Sequence, residues 1–142
     1  VLEEYMREHE IEAVWPAADR ILVWLVPDAL AGVTMRKAFR LASGLHGELV
    51  VALPTDGYDE YEIRRTEHLA VDLGATVERV SGPVDAATIA NQVRSMNATV
   101  VVIAQRPSPK SRLLRRESLI EQLHGLLDHV DIYLIDAIEQ SG

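Results

Sequence analysis

The stretch from Thr99 to Ser118 reads TVVVIAQRPSPKSRLLRRES. Its first residues, from Thr99 to Ile103, are β-branched and almost wholly apolar, which predicts a central parallel strand that is buried on both faces. A loop broken by two prolines follows, and a helix pattern begins at Leu113. In an open α/β sheet, ligands bind at the loop that leaves the carboxyl end of a central strand, so this stretch predicts a candidate site as well as a fold.

The loop and the helix start concentrate positive charge. They hold five of the chain's 14 lysines and arginines. No Asp or Glu occurs in this stretch before Glu117. The chain as a whole has a formal charge of −8, so the body of the protein is acidic. Such a body is poorly suited to broad nucleic-acid binding, whereas one basic patch suits a small anion, an acidic protein surface or anionic lipid near a membrane.

Length and composition indicate one domain with one core, since the chain has 142 residues of which 48% are hydrophobic and 25% charged. There is no cysteine, which excludes disulfides and thiolate chemistry. No apolar run approaches the length of a membrane span, and no signal peptide is visible. The chain begins with Val1 inside a helical pattern, and we therefore expect it to be a piece of a longer protein.

Outward from the opening stretch, short apolar runs alternate with segments that place apolar residues at helical spacing. This alternation predicts an α/β fold in which a doubly wound, five-stranded parallel sheet carries helices on both faces, in three layers. Within it, Trp24 is predicted to be core and Gly47 to end the first helix. The predicted strands are 20–26, 48–53, 75–80, 99–103 and 130–135, and the predicted helices are 30–46, 61–73, one holding 86–96, and 118–127.

The domain is predicted to span residues 20–136. Residues 1–19 are interpreted as a leading helix and linker arm, because Trp15-Pro16 stops any helix there. Residues 137–142 are interpreted as a tail. The last strand carries apolar residues and favours a homodimer if its edge is exposed; the alternative is an edge covered by the tail or the arm.

In this order and spacing, several segments resemble the universal stress protein superfamily, and in particular the version embedded in KdpD-type potassium-responsive sensor histidine kinases of bacteria. The similar segments are Met6-Arg7, Trp15-Pro16-Ala17 and Arg20-Ile21-Leu22-Val23, then Leu73-Gly74-Ala75 and Val80-Ser81-Gly82, then the run from Leu113 to Leu119, and finally Asp131-Ile132-Tyr133.

The resemblance implies a strand order of 3-2-1-4-5, as in the adenine nucleotide alpha hydrolase-like fold. It implies a cytoplasmic regulatory domain, not itself an enzyme, in a two-component system that controls potassium uptake and osmosensing. The parent kinase would lie in the bacterial inner membrane, and the domain would reach the membrane only through that parent. Its partners would be other domains of the kinase or an acidic protein. The alternative is a stand-alone stress protein that binds ATP or another adenine nucleotide.

The resemblance also implies a place for a nucleotide. Many stress proteins bind ATP through the pattern Gly-x2-Gly-x9-Gly-Ser after the fourth strand, where glycines let backbone N–H groups approach the phosphates. Here the pattern falls on Ala104, Pro107, Glu117 and Ser118. No glycine remains, Pro107 has no N–H, and Glu117 puts a negative charge where phosphate would lie. We therefore expect no ATP by this route, and we interpret Ser118 as a helix cap.

The end of the first strand also lacks the residues that bind a nucleotide in related domains. The acid that often holds the ribose or base in stress proteins would stand near Val26, with Asp28 two residues on. Some KdpD domains bind cyclic di-AMP through serines after the first strand and aromatic or hydroxyl residues on the second, and 26–28 and 49–53 supply neither. We expect no cofactor; the alternative is that ATP or cyclic di-AMP binds in a way that does not use these degraded motifs.

The candidate site is nevertheless the set of residues at and after the carboxyl ends of the first and fourth strands. Arginine forks such as Arg106 and Arg112 could hold a phosphate, or the patch could dock an acidic surface. It could equally be a solvated loop whose charges offset the acidic body. The candidate ligand- or anion-binding residues are Val26, Asp28, Ala104, Arg106, Lys110, Arg112, Arg115, Arg116 and Ser118.

Neither a metal site nor a catalytic constellation is predicted. His124 and His129 are five residues apart, which does not suit one helix face, and they are interpreted as solvated surface together with Asp128 and Asp131. No nucleophile elbow or Ser-His-Asp order is present.

Overall fold

The computed structural model describes residues 19–105 and 117–136, and the predictions for the leading arm and for the tail lie outside them. Within the described residues, five strands alternate with four helices. In chain order the elements are β1 (Arg20–Trp24), α1 (Ala31–Leu45), β2 (Glu48–Pro54), α2 (Glu60–Asp72), β3 (Thr76–Val80), α3 (Ala86–Met96), β4 (Val100–Gln105), α4 (Glu117–Leu126) and β5 (Asp131–Asp136).

The strands form one parallel sheet in the order β3-β2-β1-β4-β5. The α/β class and the strand order are thereby confirmed. In the register, Trp24 at the end of β1 stands opposite Ala52 of β2 and Ile103 of β4. The carboxyl ends of the central strands therefore meet at one edge of the sheet.

Alternate residues of each strand point to opposite faces and build two separate cores. On one face Ile21 and Val23 pack with α1 and α2, and on the other Leu22 and Trp24 pack with α3 and α4. This gives three layers and a doubly wound sheet, as predicted. Since β1, β2 and β4 are buried on both faces, their apolar runs do not alternate with polar residues.

The end of α1 differs from the prediction. The residue in the left-handed conformation is His46, with φ 55°, and the N–H of Gly47 donates to the carbonyl oxygen of Ala42 at 2.9 Å. Gly47 is needed for a different reason. A Cβ on it would lie 2.7 Å from Cδ1 of Ile21 and 2.9 Å from the carbonyl oxygen of Asp19. Glycine here allows the chain to pass close to the start of β1.

The edge strand β3 is tied to α2 by an ion-pair network. Nη2 of Arg79 donates to Oε1 of Glu67 at 2.8 Å, and its Nη1 donates to Oε2 of Glu60 at 3.2 Å. Hydrogen bonds from Arg64 and then Arg79 lower the pKa of Glu60, and the bond to Glu67 is the main reason that the pKa of Arg79 is raised. The network surrounds this edge with charge.

Candidate functional site

The candidate site is the crevice between the carboxyl ends of β1 and β4. The chain leaves β1 toward α1 on one face of the sheet and leaves β4 toward α4 on the other. This is the switch point at which open α/β sheets bind ligands, and neighbouring strands there are about 4.8 Å apart.

The β1 side of the crevice is a tight turn. Val26 is half-buried against the α3–α4 core, and Pro27 is buried. The carboxylate of Asp28 accepts the N–H of Leu30 at 2.9 Å, and its carbonyl oxygen accepts the N–H of Ala31 at 3.1 Å. Asp28 thus helps to start α1, where the N-cap residue Leu30 has no capping side chain of its own. The predicted strand 20–26 is two residues too long, because the chain turns here.

The β4 side of the crevice is a continuation of the strand. Ala104 is 9% exposed, and it stands opposite Ile135 of β5 in the register. The next residue, Gln105, still pairs with Asp136. The position that holds the first glycine of the nucleotide pattern therefore lies within the hydrogen-bonded ladder rather than in a loop.

The remaining candidate residues are mostly not described. Ser118 lies inside the first turn of α4, which begins at Glu117, so its interpretation as a cap before the helix is wrong. Its side chain, like those of the basic patch, lies outside the described residues. That patch comprises Arg106, Lys110, Arg112, Arg115 and Arg116. Of the candidate set, the structure thus brings Val26, Asp28 and Ala104 to one edge of the sheet.

Trp24 adds a feature that the sequence did not indicate. Its side chain is 4% exposed, as expected for the core, yet the indole Nε1–H has no hydrogen-bond partner among the described residues. A buried donor without a partner costs about 1–3 kcal/mol. The only hint in the sequence is that tryptophan, whose N–H usually finds a partner when buried, stands in an apolar strand.

The acidic residues at the same edge of the sheet are used in building the loops. Asp56 accepts the N–H of Gly82 at 2.9 Å, which ties the β2–α2 and β3–α3 connections together. Asp59 caps α2. Asp85 caps α3 by accepting the N–H of Thr88 at 2.9 Å, and this hydrogen bond lowers the pKa of Asp85. These carboxylates act as caps and loop ties.

The described residues contain neither a cluster of metal-ligating side chains nor a helix suited to span a membrane. Over 19–105 and 117–136, no three His, Cys, Asp or Glu side chains are grouped as a metal ion would require. In the same part of the chain, every helix is too short or too polar to cross a bilayer.

Comparison with known proteins gives one relative in two strains. The chain is 32% identical over 116 residues to the sensor protein KdpD of Mycobacterium tuberculosis strain H37Rv, and equally to that of strain CDC 1551. The match covers 78% of this chain but only 13% of the relative, so the chain corresponds to a small part of that protein. No family model matches the sequence.

Solved structures with the same fold are universal stress proteins. One in complex with cAMP superposes with a TM-score of 0.63 at 15% identity, over 84% of this chain and 97% of that one. One from Archaeoglobus fulgidus superposes with a TM-score of 0.63 at 19% identity, over 83% of this chain and 44% of that one. A third, from Burkholderia pseudomallei, superposes with a TM-score of 0.56 at 21% identity, over 83% of this chain and 96% of that one.

Proposed function

The chain carries a universal stress protein-like domain of the kind found in KdpD sensor proteins, and from this premise we propose that it is a regulatory input domain of a KdpD-type sensor histidine kinase. The observation that supports the proposal most directly is the 32% identity to KdpD over 116 residues. The parent would be a membrane kinase of a two-component system that controls potassium uptake, and this domain would lie on its cytoplasmic side.

In this proposal the domain signals by contact rather than by chemistry. Ala104 is locked into the β4–β5 ladder, and Asp28 is engaged at the start of α1. Neither provides the open backbone N–H groups that cradle phosphates in nucleotide sites. The basic patch from Arg106 to Arg116 follows β4 directly in the sequence, and in this proposal it supplies the charge that attracts an acidic surface. That surface belongs to another domain of the kinase or to a separate acidic protein.

A domain exchange tests this role. The matching segment of Mycobacterium tuberculosis KdpD is replaced by this chain, and kinase and phosphatase activities are measured across a potassium titration. We expect the exchanged kinase to respond to potassium. Reversing three charges of the patch, with Arg106→Glu, Lys110→Glu and Arg112→Glu, should shift or abolish the response while basal autophosphorylation stays.

The control reverses the charge of an arginine that is not part of the patch. Arg64 is exposed on α2 and pairs with Glu60, so Arg64→Glu changes the net charge without touching the patch. It should leave the potassium response unchanged. A response that survives reversal of the patch, or that is lost equally in the control, would contradict signalling through this surface.

The second candidate function is a stand-alone stress protein that binds an adenine nucleotide, and it is favoured by the fold shared with the cAMP complex. ATP, cAMP and cyclic di-AMP are titrated against the chain, and thermal melting is recorded. Under the first proposal neither ATP nor cAMP raises Tm at millimolar concentration. A saturable rise with ATP or cAMP would replace the first proposal by the second, whereas a rise with cyclic di-AMP alone would contradict signalling without a nucleotide but not the likeness to KdpD.

Under either function, the domain pairs with a second copy through β5. This strand is hydrogen-bonded to β4 alone among the described strands, and Tyr133 and Leu134 on it are 39% and 45% exposed. Analytical ultracentrifugation should show a dimer that Leu134→Glu dissociates. Val71→Glu is the control, because Val71 is 55% exposed on α2, away from this edge. A monomeric parent chain would rule out the pairing.

A further inference from the structure

Helix α1 is a basic element in an acidic chain. It carries Arg36, Lys37 and Arg40 and no acidic residue, whereas the formal charge of the chain is −8. Lys37 has an interaction partner. Arg36 and Arg40 form none of the ion pairs found among the described residues. Residues four apart on a helix are neighbours, so these two like charges repel, and neither is neutralised by an ion pair within the described residues.

A groove of about 420 Å³ lies between α1 and α2, and Arg36 is one of its walls. Small residues at the start of α1 leave room for it. A Cβ on Gly32 would lie 3.4 Å from Nη1 of Arg36, which places the guanidinium beside the first turn of α1. The volume is within the usual range of small-molecule sites.

The lining of the groove contains a hydroxyl group, that of Thr66. Only 3% of this residue is exposed, but its hydroxyl is not one of the fully buried polar atoms left without a partner, and no hydrogen bond of that hydroxyl is found within the described part of the chain. The other buried threonine, Thr34, is satisfied, since its hydroxyl donates to the carbonyl oxygen of Leu30 at 3.0 Å. A hydroxyl that lines a groove and makes no hydrogen bond within the protein can donate one to a ligand atom.

The other charged groups in the lining limit the size of the anion. Arg65 is held by Glu62, with Nη2 3.1 Å from Oε1, and His68 adds a further donor. Asp72 also lines the groove and brings one negative charge. A compound with a single compact anionic group is therefore favoured over a polyanion.

We propose that this groove binds a small phosphorylated compound, whose phosphate is held by the guanidinium of Arg36 and the hydroxyl of Thr66. The planar fork of arginine matches two phosphate oxygens, and the hydroxyl supplies a third donor. The site lies on the α1–α2 face, and Ala29 in its lining follows Asp28 of the crevice at the ends of β1 and β4. It stands whether or not the chain belongs to a kinase.

The test is an NMR titration of the 142-residue chain with inorganic phosphate and with glucose 6-phosphate, at constant ionic strength. Glucose serves as the uncharged control. Saturable shifts are expected at the backbone amides of Gly32 and Thr66. Arg36→Gln should weaken binding by about tenfold, as expected for one lost charge-assisted pair of hydrogen bonds. Arg40→Gln, on the same helix but outside the lining, should change affinity less than about twofold, since diffuse surface charge is screened by salt.

The hydroxyl is tested by two variants at one position. Thr66→Val keeps the shape and should weaken binding several-fold, whereas Thr66→Ser keeps the hydroxyl and should bind nearly as the parent does. Melting curves establish whether each variant is folded. If Thr66→Val does not fold, the affinity of Arg36→Gln for phosphate is the test of the proposal. Absence of saturable shifts with both phosphates, or equal losses in Arg36→Gln and Arg40→Gln, would overturn the proposal.

Discussion

Replacing Gly47 with alanine should destabilise the fold, although alanine usually costs less backbone entropy than glycine. The added Cβ would approach Cδ1 of Ile21 to 2.7 Å and the carbonyl oxygen of Asp19 to 2.9 Å. That oxygen also accepts the N–H of Glu48 at 2.9 Å, so moving it disturbs the first hydrogen bond between β1 and β2. Forced overpacking of this kind costs about 1–3 kcal/mol, which lowers Tm by on the order of 5 °C in a chain of this size.

The same helix end provides a control of opposite sign. A Cβ on Gly44 meets no atom within 4 Å, and Gly44 lies inside α1. Gly44→Ala should therefore raise the free energy of unfolding by about 0.5–1 kcal/mol, because glycine is a poor helix former. Urea denaturation followed by circular dichroism measures both variants. If both move stability in the same direction, the close approach at Gly47 is not what requires glycine there.

A second variant separates the two contacts. Ile21→Val removes Cδ1 and costs about 0.5–1.5 kcal/mol by itself. In that background Gly47→Ala should cost less than in the parent chain, and what remains measures the contact with the Asp19 carbonyl. A coupling of zero in this cycle would place the strain entirely on the backbone.

Three further outcomes are expected from urea denaturation. Asp59 accepts two backbone N–H groups at the start of α2, so Asp59→Ala should cost about 1 kcal/mol, and Asp59→Asn, which can still cap, distinctly less. Leu123→Ala should cost about 2–5 kcal/mol because Leu123 is fully buried, whereas Leu126→Ala, at 43% exposure, should cost under about 1 kcal/mol, and similar costs would contradict the packing of α4. The pKa of Asp85 is lowered by the N–H of Thr88, so its contribution is complete above the unfolded-state pKa, near 3.8, and is lost as the pH falls through the lower folded-state pKa. Asp85→Asn should remove that part of the pH dependence, and an unchanged acid limb in this variant would refute the assignment.

The sequence predicts the layers of this fold because its strands and helices have different periods. The central strands are apolar without alternation, and the helices repeat every three to four residues, so the order of elements follows directly. The ends of strands are harder to predict. The residues after Trp24 are as apolar as a strand, yet the half-buried Val26 lies in a turn and packs against the α3–α4 core. Burial and strand pairing are distinct requirements, and composition shows only the first.

The site is less predictable than the fold. Its place at the ends of β1 and β4 follows from topology, but the extension of β4 through Ala104 and Gln105 depends on pairing with β5, which local sequence does not encode. The missing partner of the Trp24 indole N–H and the place of Thr66 in the groove depend on which distant segments reach these residues. Tryptophan in a strand and threonine in a helix are ordinary in a sequence, and only the packed structure shows what surrounds their polar atoms.

The contrast between the two outer strands decides what kind of assembly the sheet can build. A filament grows only if each added copy presents a fresh edge like the one that it used. The β3 edge is flanked by the ionic network of Arg79, and Glu78 is exposed on it, whereas the β5 edge presents Tyr133 and Leu134. Charged edges resist pairing. In the proposed dimer, growth through β5 would therefore end after one step, and the resulting ten-stranded sheet would have a charged edge at both ends.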